Sequence, residues 1–139
     1  MIEQEIEIII SLGANTPDAE MQLDSARKKI ATFGEIVSLS GAYPTAPEYA
    51  GESMPYLNEV IVLRTATPLA EVQRLSKEYE KEIRDKNRWK GLVNIDIDIV
   101  ICDKEVLRQR DFCASYFRAG LRRIGVNVEE LQPHNAIVE

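Results

Sequence analysis

The chain has 139 residues, 45% of them hydrophobic and 29% charged, which is the composition of a folded globular protein rather than a disordered one. Its 17 Lys and Arg against 23 Asp and Glu leave a net charge of −6. This balance argues against a general nucleic-acid binder, because such a protein needs a basic face to displace counter-ions from phosphates. No apolar run reaches the roughly 18 residues of a membrane span. The N-terminal segment is acidic where a signal peptide is basic, which favours a cytoplasmic protein.

The residues of common catalytic and zinc sites are scarce. The only histidine, His134, lies close to the C-terminal end of the sequence, which argues against a histidine-based triad or a zinc site. Cys102 and Cys113 are not at a metal-ligand spacing, and we interpret them as packing thiols in a reducing compartment. A small anionic ligand is still compatible with the composition, because a few arginines in one cleft suffice to bind it.

The first part of the sequence alternates between strand and helix patterns. Glu5–Leu12 is rich in isoleucine with a period of two, which predicts a strand with one buried face. Asn15 or Thr16 is expected to cap a helix that ends at Gly34. A second strand is predicted over Ile36–Tyr43. These elements form one β-α-β unit.

The second part repeats this order after an irregular segment. Pro44–Pro55 contains three prolines and one glycine, and a connection of about twelve residues is long enough to suggest a functional loop. A third strand is predicted over Tyr56–Thr65, because this segment is rich in valine, isoleucine and leucine. Pro68 stands at the first position of a predicted helix that continues to about Arg84. A polar loop, Asp85–Leu92, follows this helix.

The last two elements complete the predicted fold. A strand is expected over Val93–Asp103 and an amphipathic helix over about Arg110–Ile124. Two β-α-β units and a final helix predict an α+β fold of the ferredoxin-like, split βαβ type, formed as one domain over residues 1–139. We expect a four-stranded antiparallel sheet with helices on one face, plus the C-terminal helix. The open sheet face and the long loop are where a ligand would lie.

The strongest chemical signal is a pair of aspartates in the last predicted strand. Alternation places Asp96 and Asp98 on one face, roughly 7 Å apart along the strand, and places on the other face Ile95, Ile97, Ile99 and Ile101. Two carboxylates at this spacing could bind Mg²⁺, which accepts one or two carboxylates together with waters and phosphate oxygens. The alternative is a solvated strand face on which acidic residues merely prevent aggregation.

Cationic residues near this strand favour the first interpretation. Several of them lie just upstream, namely Arg84, Arg88 and Lys90, and others lie in the last helix, namely Arg118, Arg122 and Arg123. Acidic metal ligands beside a cationic loop are typical of a nucleotide-polyphosphate site. Arg122 and Arg123 also fit ordinary surface charge, and Trp89 could be either a stacking lid or a plug that seats the loop.

Five segments in register resemble one known family, the 6-hydroxymethyl-7,8-dihydropterin pyrophosphokinases of folate biosynthesis. They are Ser11-Leu-Gly-Ala-Asn15, Tyr43-Pro-Thr-Ala-Pro47, Tyr56-Leu-Asn58, Arg88-Trp89 and Asp96-Ile-Asp-Ile99, and the resemblance spans roughly residues 6–103. The resemblance implies transfer of pyrophosphate from ATP to the hydroxymethyl group of a dihydropterin, with release of AMP. It also implies two Mg²⁺ ions as cofactors, held by Asp96 and Asp98, and no side-chain nucleophile.

The resemblance assigns further residues to the two substrates. On the nucleotide side it implies catalytic roles for Arg84 and Arg88 and ATP contacts from Glu80, Trp89, Lys90 and Arg118. On the pterin side it implies contacts from Thr45, Ala46, Pro47, Tyr56 and Asn58. Either Phe112 or Phe117 is a candidate for stacking on the pterin. The implied partners are ATP and a dihydropterin, without nucleic acid or membrane, and a monomer is favoured.

One departure from the family pattern keeps a second hypothesis open. The segment Lys90–Ile95 contains no arginine where the family carries one that contacts phosphates, and it is one residue longer. The chain is therefore predicted to be either a divergent Mg²⁺-dependent enzyme or a weakened or inactive relative. Such a relative would act as a pterin- or nucleotide-binding module or as an interaction module. An unrelated regulatory domain of the same fold is the third hypothesis.

Overall fold

The computed structural model describes residues 4–46, 54–86, 89 and 91–133. Its central element is one sheet, whose strands are β1 (Ile6–Ala14), β2 (Glu35–Leu39), β3 (Tyr43–Thr45), β4 (Tyr56–Thr65), β5 (Asp96–Cys102), β6 (Glu105–Val106) and β7 (Gln132–Pro133). The helices are α1 (Ala19–Ile30), α2 (Leu69–Asp85), α3 (Gln109–Cys113) and α4 (Ser115–Ile124), and a 3₁₀ turn covers Val128–Glu130. None of the helices in this described part is both long and apolar enough to cross a bilayer.

The sheet confirms the α+β class but not the predicted number of strands. Six strands follow one another in the order β2-β4-β1-β5-β6-β7, and β3 pairs with β4 beside β2. All pairs are antiparallel except β6 with β7. The prediction of four strands was wrong because the three additional strands have only two or three residues each. Such short segments carry no readable periodicity.

Both faces of the sheet are covered by helices. The side chains of α1 and α2 pack on one face, and the core there includes Leu23, Ile30 and Val72 together with Ile8, Ile10, Leu12, Ile61, Leu63, Ile97 and Ile99. The opposite face packs against α3 and α4 through Phe112, Phe117 and Leu121, over Ile9, Val60, Val62, Val100 and Ile101. The C-terminal helices therefore cover part of the face that was expected to be open. The uncovered remainder of that face forms the cavity described below.

The predicted second strand is interrupted. Instead of one strand over Ile36–Tyr43, β2 ends at Leu39 and β3 begins at Tyr43, and both pair with β4. Gly41 between them has a φ of +77°, a conformation that breaks a strand and favours glycine. The break divides the edge strand into β2, which packs next to the core, and β3, which lies next to the cavity described below.

The last long strand contains a bulge that reverses its pattern. Ile9 pairs with Ile101 and Ile10 pairs with Ile99, so Val100 is an extra residue in β5. As a result Ile101 packs in the core beneath α4, on the face opposite to Ile97 and Ile99. The expected alternation is therefore wrong for Ile101, and it holds for the segment that carries Asp96 and Asp98.

The predicted C-terminal helix is two helices. Ala114 has an extended backbone with a ψ of 139°, and it separates α3 from α4. Gly120 allows α4 to approach the sheet closely, because a methyl group at this position would overlap Cγ2 of Val60 and the hydroxyl of Tyr43. The same hydroxyl donates to the carbonyl oxygen of Tyr116 at 2.7 Å. These contacts set the distance between α4 and the cavity.

Candidate active site

Strand register brings the two halves of the predicted site onto one row of the sheet. Gly13 in β1 pairs with Asn58 in β4 on one side and with Asp96 in β5 on the other. Two residues back along β1, the next row whose side chains share this face joins Val60, Ser11 and Asp98. Two strand spacings separate Asn58 from Asp96, about 10 Å. Gly13 has no side chain, so the sheet floor between the amide and the carboxylate stays open.

A cavity of about 880 Å³ lies above this row. Six of the predicted site residues line it, namely Thr45, Ala46, Tyr56, Asn58, Asp96 and Asp98. Asn58 is buried, and its amide donates to the hydroxyl of Thr45 at 2.6 Å. The structure therefore brings together the described residues predicted for the pterin side and both aspartates predicted for the metal.

The two aspartates have different surroundings although they face the same cavity. Asp96 keeps much of its surface exposed to the cavity, but the protein around its carboxyl group and the nearby charges of Asp98 and Glu80 raise its pKa to about 6. Asp98 has a side chain that is only 17% exposed, and it has two cationic partners. Lys77 Nζ lies 3.1 Å from its Oδ1, and Nη2 of Arg108 lies 3.7 Å from the same oxygen.

Helix α2 reaches the open edge of β5 through two charged side chains. The amide of Ile97 donates to Oε2 of Glu80 at 2.5 Å, and the carbonyl oxygen of Ile97 accepts from Nζ of Lys77 at 2.9 Å. Lys77 and Glu80 also form an ion pair at 2.9 Å. Burial alone would lower the pKa of Lys77, but its bonds to Glu80 and Asp98 raise that pKa above its ordinary value, so the amine is charged. Glu80 therefore holds the backbone between the two aspartates and is not among the residues that line the cavity.

The wall opposite the strands comes from a segment that the sequence patterns did not identify as part of the site. Arg108, Arg110, Asp111 and Tyr116 line the cavity from α3, α4 and the turn before them. Nε of Arg108 donates to Asp111 at 2.5 Å, and the hydroxyl of Tyr116 donates to the other oxygen of Asp111 at 2.8 Å. This wall supplies two arginines to a cavity whose floor is acidic.

A tight hairpin explains how these arginines reach the aspartates. Asp103 and Lys104 both have a positive φ, 47° and 70°, as in a two-residue type I′ turn between β5 and β6. The chain then returns along β5, where Leu107 donates to the carbonyl oxygen of Val100. Arg108 thereby comes to lie beside Asp98. The available signal was the sequence Arg108-Gln-Arg-Asp111, which follows the short strand β6, but the predicted elements did not include the hairpin that brings it back along β5.

Asn15, in the first motif, forms hydrogen bonds with the segment that precedes β5 and does not cap a helix. Its backbone amide donates to the carbonyl oxygen of Val93 at 2.9 Å, and its Oδ1 accepts from the amide of Val93 at 2.6 Å. Helix α1 follows Asp18, and no side chain caps its first turn. The predicted cap at Asn15 or Thr16 was therefore wrong, and Asn15 instead joins the end of β1 to the segment before Asp96.

Other predicted site residues lie away from the cavity. Arg84 is exposed in the last turn of α2, and Trp89 is half-buried but does not line the cavity. Nε of Arg118 donates to the carbonyl oxygen of Phe112 at 2.6 Å, and its guanidinium lies 4.1 Å from the centre of the Phe112 ring. Arg118 thus joins α4 to α3. The predictions for Pro47, Arg88 and Lys90 lie outside the described residues.

The aromatic residues of the cavity also differ from those predicted. Phe112 and Phe117 pack in the core beneath α3 and α4, and Phe117 is completely buried. Neither ring lines the cavity, so neither can stack on a ligand there without a rearrangement. Among the described residues, the aromatic side chains that line it are Tyr56, from β4, and Tyr116, on the opposite wall.

The donor set of the cavity fits Mg²⁺. Three carboxylates line it: Asp96 and Asp98 from β5, and Asp111, whose two oxygens accept from Arg108 and Tyr116. The described part of the chain contains no cluster of three or more acidic, histidine or cysteine side chains that could hold a metal. Mg²⁺ is commonly bound by one or two carboxylates and completes its octahedron with water and substrate phosphates. A zinc site would need the nitrogen or sulphur ligands that are missing from these residues.

Comparison with known proteins identifies the family of the chain. The family model described as 7,8-dihydro-6-hydroxymethylpterin-pyrophosphokinase (HPPK) matches residues 9–137. Two relatives are named 2-amino-4-hydroxy-6-hydroxymethyldihydropteridine pyrophosphokinase. The one from Aquifex aeolicus is 31% identical over 104 residues, which is 74% of this chain and 65% of the relative. The one from Porphyromonas gingivalis is 29% identical over 99 residues, which is 68% of this chain and 67% of the relative. The chain thus spans about two thirds of the length of these relatives.

Because the family model matches nearly all of the sequence, the chain belongs to the 7,8-dihydro-6-hydroxymethylpterin-pyrophosphokinase family.

Proposed function

We propose that this protein transfers pyrophosphate from ATP to the hydroxymethyl group of 6-hydroxymethyl-7,8-dihydropterin, the step that its family is named for and that the resemblance assigns to folate biosynthesis. The hydroxyl oxygen attacks the β-phosphorus, the bond to the α-phosphate oxygen breaks, AMP leaves and the hydroxyl proton is released. The observation that carries the proposal is the single row of Asn58, Gly13 and Asp96 beneath one cavity. In this row an amide that would read the heterocycle stands opposite a carboxylate that would bind the metal.

The acidic side of the cavity is proposed to receive the phosphates. Asp96 and Asp98 would hold two Mg²⁺ ions, which when bound neutralise the α- and β-phosphates and help to orient the hydroxyl group. Both contacts from Lys77 and Arg108 go to Oδ1 of Asp98, and no ion pair or hydrogen bond of the described residues reaches its Oδ2. Oδ2 is therefore the oxygen that is available to a metal.

The opposite end of the row is proposed to receive the pterin. Asn58 and Thr45 already form a hydrogen-bonded pair at the cavity wall, so the amide is held in one orientation before a ligand binds. Buried amides that read the edge of a heterocycle give specificity that stacking alone does not give. Backbone groups at Thr45 and Ala46 and the side chain of Tyr56 would complete this end, and Pro47 is proposed with them from the resemblance.

Arg108 and Arg110 are proposed to supply cationic contacts to the polyphosphate. Both line the cavity, whereas Arg84 and Arg118 do not. Because a phosphoryl transfer of this kind depends on positioning and charge neutralisation, it needs no nucleophilic side chain. Trp89, Arg88 and Lys90 stay proposed nucleotide contacts on the resemblance alone, and Glu80 is proposed to act through the backbone of β5.

The alternative function is a binding module without transfer activity. It is favoured by one observation, the lack of an arginine in the segment 90–95 where the family carries one. Incubation with ATP, Mg²⁺ and the dihydropterin separates the two functions, because the proposed reaction releases AMP and not ADP. Pterin binding in calorimetry without AMP formation would support the binding module, and failure of both ligands to bind would support an unrelated role.

A further inference from the structure

The side chain of Lys77 in α2 has three hydrogen-bond acceptors within reach of its amine, although it lies at the protein surface. Its Nζ lies 2.9 Å from Oε2 of Glu80, 2.9 Å from the carbonyl oxygen of Ile97 and 3.1 Å from Oδ1 of Asp98. An ammonium group has three N–H donors, so these three acceptors use all of them. The side chain is about half exposed, which means that the contacts hold it in place against solvent.

Part of this arrangement satisfies the backbone of β5. Strand β6 pairs only with Ile101 and Cys102, so the outer edge of β5 at Ile97 has no neighbouring strand among the described residues. Glu80 accepts from the amide of Ile97, and Lys77 donates to its carbonyl oxygen. Unpaired backbone groups at a sheet edge need such partners. The contact with Ile97 therefore has a structural explanation.

The contact with Asp98 is not explained by the backbone. Lys77 approaches this carboxylate from α2, through a second cavity of about 310 Å³ that Asp98 and Arg108 also line. It therefore places a fixed positive charge beside a residue that also lines the main cavity. Arg108 contacts the same Oδ1 at 3.7 Å, so two cations already compensate Asp98 in the free protein.

The ammonium group of Lys77, 3.1 Å from Oδ1 of Asp98, repels a metal ion that binds to the same carboxylate. The repulsion between like charges a few ångströms apart is appreciable even near a protein surface. The same contact also restrains Oδ1, and it leaves Oδ2 without a hydrogen bond or ion pair among the described residues. Lys77 thus has two effects on Asp98. It fixes the orientation of the carboxylate, and its charge weakens the binding of a free divalent cation to that carboxylate.

We propose that Lys77 is the resident counter-ion of the acidic pair, a positioning residue that orients Asp98 and keeps the free protein a weak binder of divalent cations. This inference rests on the proposed function, because it takes Asp96 and Asp98 as the metal ligands. It concerns a lysine of this chain that the predicted site did not include.

The test is a titration of the free protein with Mn²⁺ as the probe, followed by electron paramagnetic resonance at low ionic strength, without nucleotide or pterin. Lys77→Met removes the charge and keeps the length of the side chain, and it should bind Mn²⁺ about fivefold or more tightly than the unsubstituted protein. Lys77→Arg keeps the charge and should bind as weakly as the unsubstituted protein. Lys81→Met is the matched control, because Lys81 lies one turn further along α2 and pairs with Asp85 away from the cavity.

An affinity of Lys77→Met that is unchanged or weaker would overturn the inference and leave Lys77 with only its role at the edge of β5. The same holds if no variant binds Mn²⁺ measurably. If Lys77→Met fails to fold by circular dichroism, Lys77→Gln removes the charge with a polar side chain and carries the same expectation. Because the titration contains no substrate, a protein that forms no AMP still tests this inference, and AMP formation does not decide it.

Discussion

The guanidinium group of Arg108 connects the two walls of the cavity. Its Nε donates to Asp111 of α3 at 2.5 Å, and its Nη2 lies 3.7 Å from Oδ1 of Asp98 in β5. The longer of these two distances marks the contact that a bound polyphosphate can replace. Because Asp111 holds the other side of the guanidinium, Arg108 can turn toward a phosphate without leaving its wall.

We therefore expect Arg108→Ala to lower kcat/KM for ATP by on the order of 10²-fold, the usual effect of losing one positioned cation from a phosphoryl-transfer site. Arg108→Lys should recover part of this loss, because it restores the charge without the fork of donors. The measurement is the rate of AMP formation at varied ATP concentration. Arg122→Ala, an exposed change on α4, is the control, and a loss in Arg108→Ala no larger than in this control would contradict the prediction.

Asn58 tests the pterin end of the same row. Asn58→Ala removes the amide and leaves the hydroxyl of Thr45 without its partner, so the KM for the dihydropterin should rise about tenfold or more. ATP binding should stay nearly unchanged, because the amide lies about 10 Å from Asp96. Calorimetry with each substrate separately checks both statements, with Asn127→Ala as a remote control. Equal weakening of both substrates would show that Asn58 supports the whole cavity rather than the pterin.

The raised pKa of Asp96 predicts a pH-dependent cost to stability. The pKa is about 6 in the folded protein, against an ordinary value of 3.8, so the folded state binds this proton more tightly than the unfolded chain does. The contribution of Asp96 to stability therefore falls as the pH rises from 3.8 to about 6, and it stays low above that range. Asp96→Asn should have a higher Tm than the unsubstituted protein at pH 7.5, and the difference should disappear near pH 4.

Thermal unfolding at both pH values measures this effect. Asp85→Asn is a suitable control, because the hydrogen bond and charge of Lys81 lower the pKa of Asp85, which gives the opposite sign. A Tm for Asp96→Asn at pH 7.5 that does not exceed the Tm of the unsubstituted protein would contradict the raised pKa of Asp96 in the folded state. The prediction needs no substrate and no metal.

Gly120 provides a prediction on the packing of α4. Alanine is favoured over glycine within a helix by about 1 kcal/mol, but its methyl group at this position would overlap Val60 and the hydroxyl of Tyr43. Overpacking of this kind costs about 1–3 kcal/mol and sometimes more. We expect Gly120→Ala to be destabilising in urea unfolding, because the steric cost exceeds the gain in helix propensity. A gain in stability would mean that α4 can move away from β4 easily.

Much of the cavity floor could be predicted from the sequence because it depends on strand periodicity and on short motifs. The alternation before the bulge at Val100 was enough to place Asp96 and Asp98 together, and both line the cavity. Thr45 and Asn58 lie in separate motifs, and antiparallel pairing of β3 with β4 brings them together. In both cases the local pattern determines which face of the sheet a side chain occupies.

The wall opposite the strands could not be predicted in the same way, because it depends on a turn and a break that leave weak signals. Neither Asp103 nor Lys104 is glycine, although both adopt the positive φ of a hairpin turn. The predicted strand ended correctly near Asp103, but without the hairpin to β6 nothing in the sequence pattern brings Arg108 near Asp98. Arg118 was predicted to contact ATP, but the extended backbone of Ala114 folds α4 back on α3 and places Arg118 on the ring of Phe112.

The two aspartates at the start of β5 are proposed to carry the transfer of pyrophosphate. The most direct test of this proposal compares AMP formation from ATP, Mg²⁺ and 6-hydroxymethyl-7,8-dihydropterin by the unsubstituted protein, Asp96→Asn, Asp98→Asn and the control Arg122→Ala. We expect one AMP for each pyrophosphorylated pterin, with both aspartate variants slower by about 10²-fold or more and the control unaffected. Absence of AMP with the unsubstituted protein, or rates in both aspartate variants close to that of the control, would contradict it.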